Sequence, residues 1–231
     1  MSVNAAFSPA VTLDLDEPLA AVDGAEATST RGDLVRELQE RVRGMQRIRL
    51  DSRSLPTSPG IAELLPGGSL SAGSAYAVEG STTLALSLLQ GPSAAGAWCA
   101  VVGLPDLGIE AAAGLGIDLD RLVLVPRPGG QWVSVISALI DVVTVVLVHP
   151  GQQRVSDAVA SRLAARLRQR EAVLVSVGGW PGNDVRLSVT GSSWNGVGAG
   201  HGYLTERSIT VASESRSWAG QAKSRRLRWA S

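Results

Sequence analysis

The sequence predicts an α/β fold in which a mostly parallel sheet is flanked by helices. From residue 61 onward, strand and helix patterns alternate along the chain, which is the order that produces parallel strands joined by crossover helices. The run Val145–Val148 is continuously apolar, as central strands buried on both faces are. The 231 residues, 45% of them hydrophobic, suffice for one large core with short appendages.

The first 59 residues are predicted to lie outside this core. Residues 1–30 are poor in aromatics and rich in Ala, Ser, Thr and acids, so we expect a disordered or loosely attached leader. Residues 31–59 are predicted to contain an amphipathic helix over 33–50 and a linker with Pro56 and Pro59. The apolar stripe of this helix is formed by Leu34, Leu38, Val42 and Met45. This stripe either docks on a partner protein or packs on the chain's own core.

The core is predicted to span residues 60–213. Apolar runs indicate strands over residues 75–79, 98–102, 122–125, 144–148 and 172–177. Helical spacing indicates three helices. The first begins at residue 82, the second extends over residues 131–141, and the third extends over residues 156–170. The alternating segments 184–190 and 203–213, with a Gly-rich turn over 191–202, predict a β-hairpin on the sheet edge.

Residues 214–231 are predicted to be a basic tail that binds a partner. Its basic and aromatic residues are Arg216, Trp218, Lys223, Arg225, Arg226, Arg228 and Trp229, and no acid follows Glu214. Tryptophans are costly to leave in water, and Arg and Trp are frequent interface hot spots, which favours a protein partner. Basic residues interleaved with aromatics also suit single-stranded DNA, and a solvated tail is the third alternative.

Composition excludes several other classes. The formal net charge is zero, so no global charge marks a nucleic-acid or membrane binder. The acidic start is unlike a signal peptide, and the apolar stretch 132–148 is interrupted by polar residues, so we expect a cytoplasmic protein without a membrane span. The single cysteine, Cys99, lies in an apolar run and is predicted to be buried. Lys223 is the only lysine.

Two ordered motifs resemble the RecA superfamily. Residues 61–80 read IAELLPGGSLSAGSAYAVEG, similar to the glycine turns, first strand and phosphate-loop entry of the RecA ATPase core. Residues 115–125 read LGIDLDRLVLV, similar to the segment before that family's third strand. Within the superfamily the chain most resembles ImuA, especially its actinobacterial variant. The resemblance implies a RecA-like fold and a mutasome accessory that acts with ImuB, an inactive Y-family polymerase homologue, and with RecA as a further partner.

The phosphate loop implied by this resemblance is degenerate. A working loop needs glycines to cradle phosphate, a lysine, and Ser or Thr for magnesium. Here the strand runs directly into Gly80, Ser81, Thr82 and Thr83, with no lysine and several residues too few. Ser81 is predicted to be a helix N-cap, with residual phosphate binding as the alternative.

Two further ATPase requirements fail by the same comparison. The strand that would supply a magnesium-binding acid ends instead in His149, which is either a proton carrier or simply a strand exit. The catalytic glutamate position falls near Pro105, unless Asp106 takes it with a shift of one residue. We therefore expect a non-catalytic adaptor without a cofactor. The alternatives are a SulA-like inhibitor of a tubulin-like division protein and an ATPase with residual activity.

Overall fold

The computed structural model describes residues 11–14, 54–195, 206–218 and 221–230. The helix expected over residues 33–50, with Leu34, Leu38, Val42 and Met45, lies outside these ranges. The strands are β1 Val11–Asp14, β2 Ser54–Leu55, β3 Leu70–Ser71, β4 Ala75–Glu79, β5 Cys99–Val102, β6 Leu122–Arg127, β7 Val145–Val148, β8 Val173–Val177, β9 Val185–Asn195, β10 Glu206–Ser215 and β11 Lys223–Ala230. The α-helices are α1 Pro59–Ala62, α2 Thr82–Ala94, α3 Ile109–Gly114, α4 Trp132–Ile140 and α5 Asp157–Arg170.

Nine of these strands form one large, mostly parallel sheet. Their spatial order is β1, β6, β5, β7, β8, β4, β9, β10, β11. The pairs from β1 through β9 are parallel, and β10 runs antiparallel to both β9 and β11. The predicted α/β class, with a mostly parallel sheet flanked by helices, is confirmed. Because the carboxyl ends of parallel strands meet at one edge, the turns after β4, β5, β7 and β8 lie together.

The two faces of the sheet carry separate cores. Alternate residues of a strand point to opposite faces, so Tyr76 and Val78 join one cluster and Ala75 and Ala77 join the other. The first cluster is covered by α2, α3 and residues 54–70, and it continues into β9, β10 and β11. The second is covered by α4 and α5 and includes no described residue of those three strands. Among the described residues, helices therefore cover both faces of the sheet in its centre, and near β11 the second face, called the open face below, has no such cover.

An ion-pair cluster joins the two helices of the second face. Asp141 follows α4, and its carboxylate accepts hydrogen bonds from Arg166 and from Arg170, the latter at 3.0 Å. Burial alone raises the pKa of Asp141, but the hydrogen bonds and charge of the two arginines outweigh burial, so the pKa lies below its ordinary value. The cluster fixes the end of α4 against α5.

The predicted boundaries at the N-terminal side need two corrections. Residues 11–14 are not a disordered leader, because they pair with β6 as a parallel edge strand. The unpaired edge of β6 supplies backbone partners that a local sequence does not reveal. Residues 54–59 are not a free linker either. Leu55 and Ile61 are each 2% exposed, and β2 pairs with β3, so apolar burial fixes this segment on the core.

The C-terminal hairpin forms, but away from the sheet edge. β9 and β10 pair antiparallel as predicted. However, β9 also pairs with β4, and β11 adds outside β10, so β11 is the edge strand among the strands that the structure describes. The sequence prediction placed a tail there, because a strand with four basic residues has no apolar run to mark it.

Candidate functional site

The junction between β4 and α2 occupies the position of the expected phosphate loop. Only Gly80 and Ser81 separate the strand from the helix. Gly80 has a φ of 88°, where an L side chain is strained, and a Cβ there would lie 3.1 Å from Val189 Cβ of β9. The Oγ of Ser81 accepts a hydrogen bond from the Leu84 N–H at 3.1 Å, so Ser81 caps α2. The short turn is thus packed against β9, and its hydroxyl serves the helix end.

The remaining polar groups at this junction disfavour a bound phosphate. Thr82 and Thr83 form the first turn of α2, the first exposed and the second half-buried. Glu79, the last residue of β4, places a carboxylate before the turn, 3.6 Å from Arg186 Nε, and it accepts a hydrogen bond from Ser188 Oγ at 3.4 Å. A phosphate at this position would be repelled by the Glu79 carboxylate, and Arg186 is already paired with Glu79.

The neighbouring strand ends are joined by His149. Its backbone N–H donates to the Val102 carbonyl at 2.9 Å, and its Nδ1 lies 3.2 Å from the Gly103 carbonyl oxygen. Gly103 has a φ of 80°, and a Cβ there would lie 2.3 Å from the His149 carbonyl oxygen. Asp106 lies in the exposed turn that follows. These contacts give His149 a structural role at the strand exit.

Two open cavities flank the segment that connects β8 to β9. One, of about 480 Å³, has Arg154 and Gly178 in its wall, and the other, of about 620 Å³, has Asp184. Both are bordered by Trp180 and Arg186. The Asp184 carboxylate accepts a hydrogen bond from the Ala75 N–H at 2.9 Å, and Arg186 faces Glu79. Asp184 and Arg186 therefore help to hold the strand ends in place.

The basic C-terminal segment is a strand, so the tail prediction is wrong for Lys223–Ala230. β11 pairs with β10 along its whole length, and Leu227, only 7% exposed, lies opposite Ile209. Trp229 is partly buried against the first-face core, so part of its ring is shielded from water without a partner. Alternation explains the strand, because every second residue of this segment faces the core and the intervening ones face solvent.

The predicted binding residues are divided between the two faces of β11. Lys223 and Arg225 share the core face with Leu227, whereas Arg226 and Arg228 lie on the opposite, open face. Arg225 forms an ion pair with Glu63, and Arg226 Nη2 donates to Ser193 Oγ at 2.9 Å. Arg216 begins the short 3-10 turn after β10, and the ring of Trp218 lies 4.4 Å from Lys223 Nζ. The cluster is therefore not a single surface.

Sequence reasoning missed a row of three residues across the sheet end. Arg207 of β10 is the cross-strand partner of both Trp194 of β9 and Trp229 of β11. Its guanidinium carbon lies 5.2 Å from the Trp194 ring centroid, and Trp194 is 50% exposed. The buried Nε of Arg207 has no hydrogen-bond partner among the residues that the structure describes. Trp194 lies in β9 and not in the turn predicted over residues 191–202, and the register that joins the three residues cannot be deduced from a local pattern.

Cys99 is buried, as predicted. It is 0% exposed, and burial, with a smaller contribution from the charge of Asp118, raises its pKa to about 12, so it is an inert thiol. In the described ranges no cluster of three His, Cys, Asp or Glu side chains could hold a metal ion. Likewise, none of the described helices has the length and apolar character needed to cross a membrane.

The comparisons with known proteins identify a family. A family model described as the MT3502 N-terminal domain matches residues 63–182, just over half of the chain. The chain belongs to this family. The match to the MT3502 N-terminal domain begins within the segment before β3 and ends before β9. Both the degenerate junction and His149 therefore lie inside the family's domain, and the row at the sheet end lies beyond it.

One relative and one solved structure give the range of similarity. The uncharacterized protein Rv3395c of Mycobacterium tuberculosis is 40% identical over 129 residues, which cover 54% of this chain and 63% of that protein. The match thus spans less than two thirds of that relative's length. The crystal structure of SulA from Pseudomonas aeruginosa has a TM-score of 0.38 and 15% identity, and it covers 46% of this chain and 98% of SulA. A similarity at that level supports no conclusion about this protein.

Proposed function

We propose that this protein is a non-catalytic, RecA-like adaptor in damage-induced translesion DNA synthesis, similar to ImuA. Its partner is an inactive Y-family polymerase homologue resembling ImuB, with RecA as a second partner. The proposal is supported by the resemblance of residues 61–80, whose turns contain glycines at positive φ, the region that favours glycine. Gly67, Gly68 and Gly73 have φ angles of 68°, 74° and 81°, and they precede β4, which leads directly into the degenerate junction.

The junction between β4 and α2 carries the non-catalytic part of the proposal. Backbone N–H groups cradle a phosphate only when a loop wraps around it, and here two residues join the strand to the helix. Ser81 is used as the cap, Glu79 brings a negative charge, and the only lysine of the chain is Lys223 in β11. The protein then acts by binding its partners. We assign these contacts to the strand β11 and to the helix predicted over residues 33–50.

Nucleotide binding is tested by calorimetric titration of the full chain with ATP and magnesium. We expect no binding, because the junction has neither the cradle nor the cation. The variant Thr83→Ala should behave as the wild type in this titration and in complementation, since Thr83 contributes only to the helix start. A dissociation constant in the low micromolar range, about −8 kcal/mol, would contradict the proposal.

The adaptor role is tested in cells. A strain that lacks the gene should lose damage-induced mutagenesis, and wild type and Thr83→Ala should restore it equally. The full chain should also copurify with the polymerase homologue after DNA damage. Filamentous growth on overexpression, with mutagenesis unchanged in the deletion strain, would instead indicate a division inhibitor.

A further inference from the structure

We propose that β11 binds an extended acidic segment of a partner protein, which adds to the sheet as one more strand. The inference rests on the proposed adaptor function for the identity of the partner, but not for the chemistry of the contact. It assigns a place and a sequence pattern to the partner segment: acids at alternate positions, with apolar residues between them.

The first observation is the open edge of β11. The strand has eight residues and ends the sheet, and in the described part of the chain it pairs only with β10. In an antiparallel edge strand, the N–H and C=O groups of every second residue point away from the sheet. Such a row of unpaired groups is a template for an added strand. Eight residues are longer than the usual strand of about five or six, so the template is sufficient.

Charge decides which strand fits this edge. β11 contains Lys223, Arg225, Arg226 and Arg228 and no acidic residue. A second copy is a poor occupant, because the two most overlapping two-fold symmetric registers place Arg226 opposite Arg226 of the second copy or opposite its Arg228, and like charges directly opposite are destabilising. An acidic strand places opposite charges there, each pair contributing about 0.2–1 kcal/mol. The basic edge therefore disfavours pairing with a second copy of β11 and favours pairing with an acidic strand.

The two faces of β11 determine the alternation of the partner segment. On the open face, Arg226 is exposed and held toward Ser193 Oγ, and Arg228 is exposed beside it. A partner residue on this face should be Asp or Glu. On the core face, Leu227 is buried and Trp229 is partly buried, so a partner residue there should be apolar. An acid–apolar alternation satisfies both faces with the period of two that a strand has.

The row at the sheet end supplies an anchor for the apolar positions. Trp194, Arg207 and Trp229 lie side by side across three strands on the core face, with Arg207 between the two indole rings. A strand added next to β11 would extend this row by one residue, next to Trp229. Burial of an apolar or aromatic side chain against a Trp and Arg pair is the usual basis of an interface hot spot.

The test uses the full chain and a fluorescent peptide with four Glu–Val repeats. A second peptide, in which Lys replaces each Glu, serves as the charge control. We expect the Glu peptide to bind and to slow hydrogen exchange of the β11 amides, and the Lys peptide to do neither. The double variant Arg226→Glu with Arg228→Glu should weaken the Glu peptide at least tenfold. The variant Arg154→Glu with Arg162→Glu makes the same charge change at exposed positions elsewhere and should bind normally.

Three results would overturn the proposal. They are equal binding by the β11 variant and its matched control, peptide binding without protection of the β11 amides, and concentration-dependent dimerisation of the full chain that protects those amides. The last result would mean that the edge pairs with a second copy. Copurification with the polymerase homologue is scored separately. If the wild-type chain copurifies but exchange in β11 is unchanged in that complex, the adaptor function stands and the strand-addition proposal fails.

Discussion

Shortening one side chain, Leu227→Ala, decides whether the basic C-terminal segment is part of the folded core. Leu227 is 7% exposed, lies opposite Ile209, and its Cδ2 is so close to Gly60 that a Cβ there would be 2.9 Å from it. The side chain therefore closes the core between β10 and α1. If the segment were a tail, as its composition indicates, none of these contacts would exist and the substitution would be silent.

The expected loss follows from burial. Replacing a buried leucine by alanine costs about 2–5 kcal/mol, and the cost depends on how far the site can collapse. Leu227 lies in an edge strand with one neighbouring strand in the described part of the chain, so the lower part of that range applies, about 2–3 kcal/mol. For a chain of this size each kcal/mol lowers the melting temperature by about 2–4 °C, which gives a decrease of about 4–12 °C.

Urea unfolding followed by tryptophan fluorescence and circular dichroism measures this loss. Ser224→Ala is the matched control, because Ser224 is an exposed residue of the same strand on the opposite face, and its change should stay within about 0.5 kcal/mol. If both variants unfold at the same urea concentration as the wild type, β11 is not packed on the core, and the strand and its edge are wrong.

Two further predictions test the strand ends and the helix contact. Gly103→Ala should destabilise the protein by more than about 2 kcal/mol, because the added Cβ would meet the His149 carbonyl. The control Gly151→Ala is also at positive φ but in open space, and it should destabilise the protein by only about 1 kcal/mol. Equal losses in thermal unfolding would contradict the close approach at Gly103. Asp141→Asn should cost about 1 kcal/mol at pH 7, discounted because Arg166 is 41% exposed. The pKa of Asp141 is lower in the folded than in the unfolded protein, so its stabilisation is present above the unfolded pKa of about 3.9 and is lost as pH falls through the folded pKa. The free energies of unfolding of the wild type and of Asp141→Asn should therefore converge in acid. A difference that stays constant with pH would assign the loss to packing.

The central elements could be predicted because their signal is local. The helix expected over residues 156–170 is observed as Asp157–Arg170, and the strand expected over 172–177 is observed as Val173–Val177. Such elements are buried along a stripe or on both faces, so apolar periodicity alone marks them. The N-cap at Ser81 was predictable for the same reason, since capping depends on residues within one turn.

The elements at both ends of the sheet could not be predicted because their stability depends on distant partners. β1 has four residues and pairs with β6, more than 100 positions away in the sequence. In β11 the charged residues hide the period-two pattern of Arg225, Leu227 and Trp229, which was the one available signal. The row of Trp194, Arg207 and Trp229 requires the registers of three strands at once, so no pattern within one segment contains it.

The division of the basic residues between two faces changes how the partner contact should be tested. Removing the C-terminal segment as a whole deletes Leu227 and uncovers Ile209, so lost binding would report lost folding as readily as a lost contact. Altering Arg225 has the same defect, because Arg225 is paired with Glu63 on the core face. Arg226, by contrast, is exposed on the open face and donates a hydrogen bond to Ser193 at the surface. Charge changes on the open face, measured against Leu227→Ala as the folding control, therefore separate recognition by this strand from the stability that the strand itself provides.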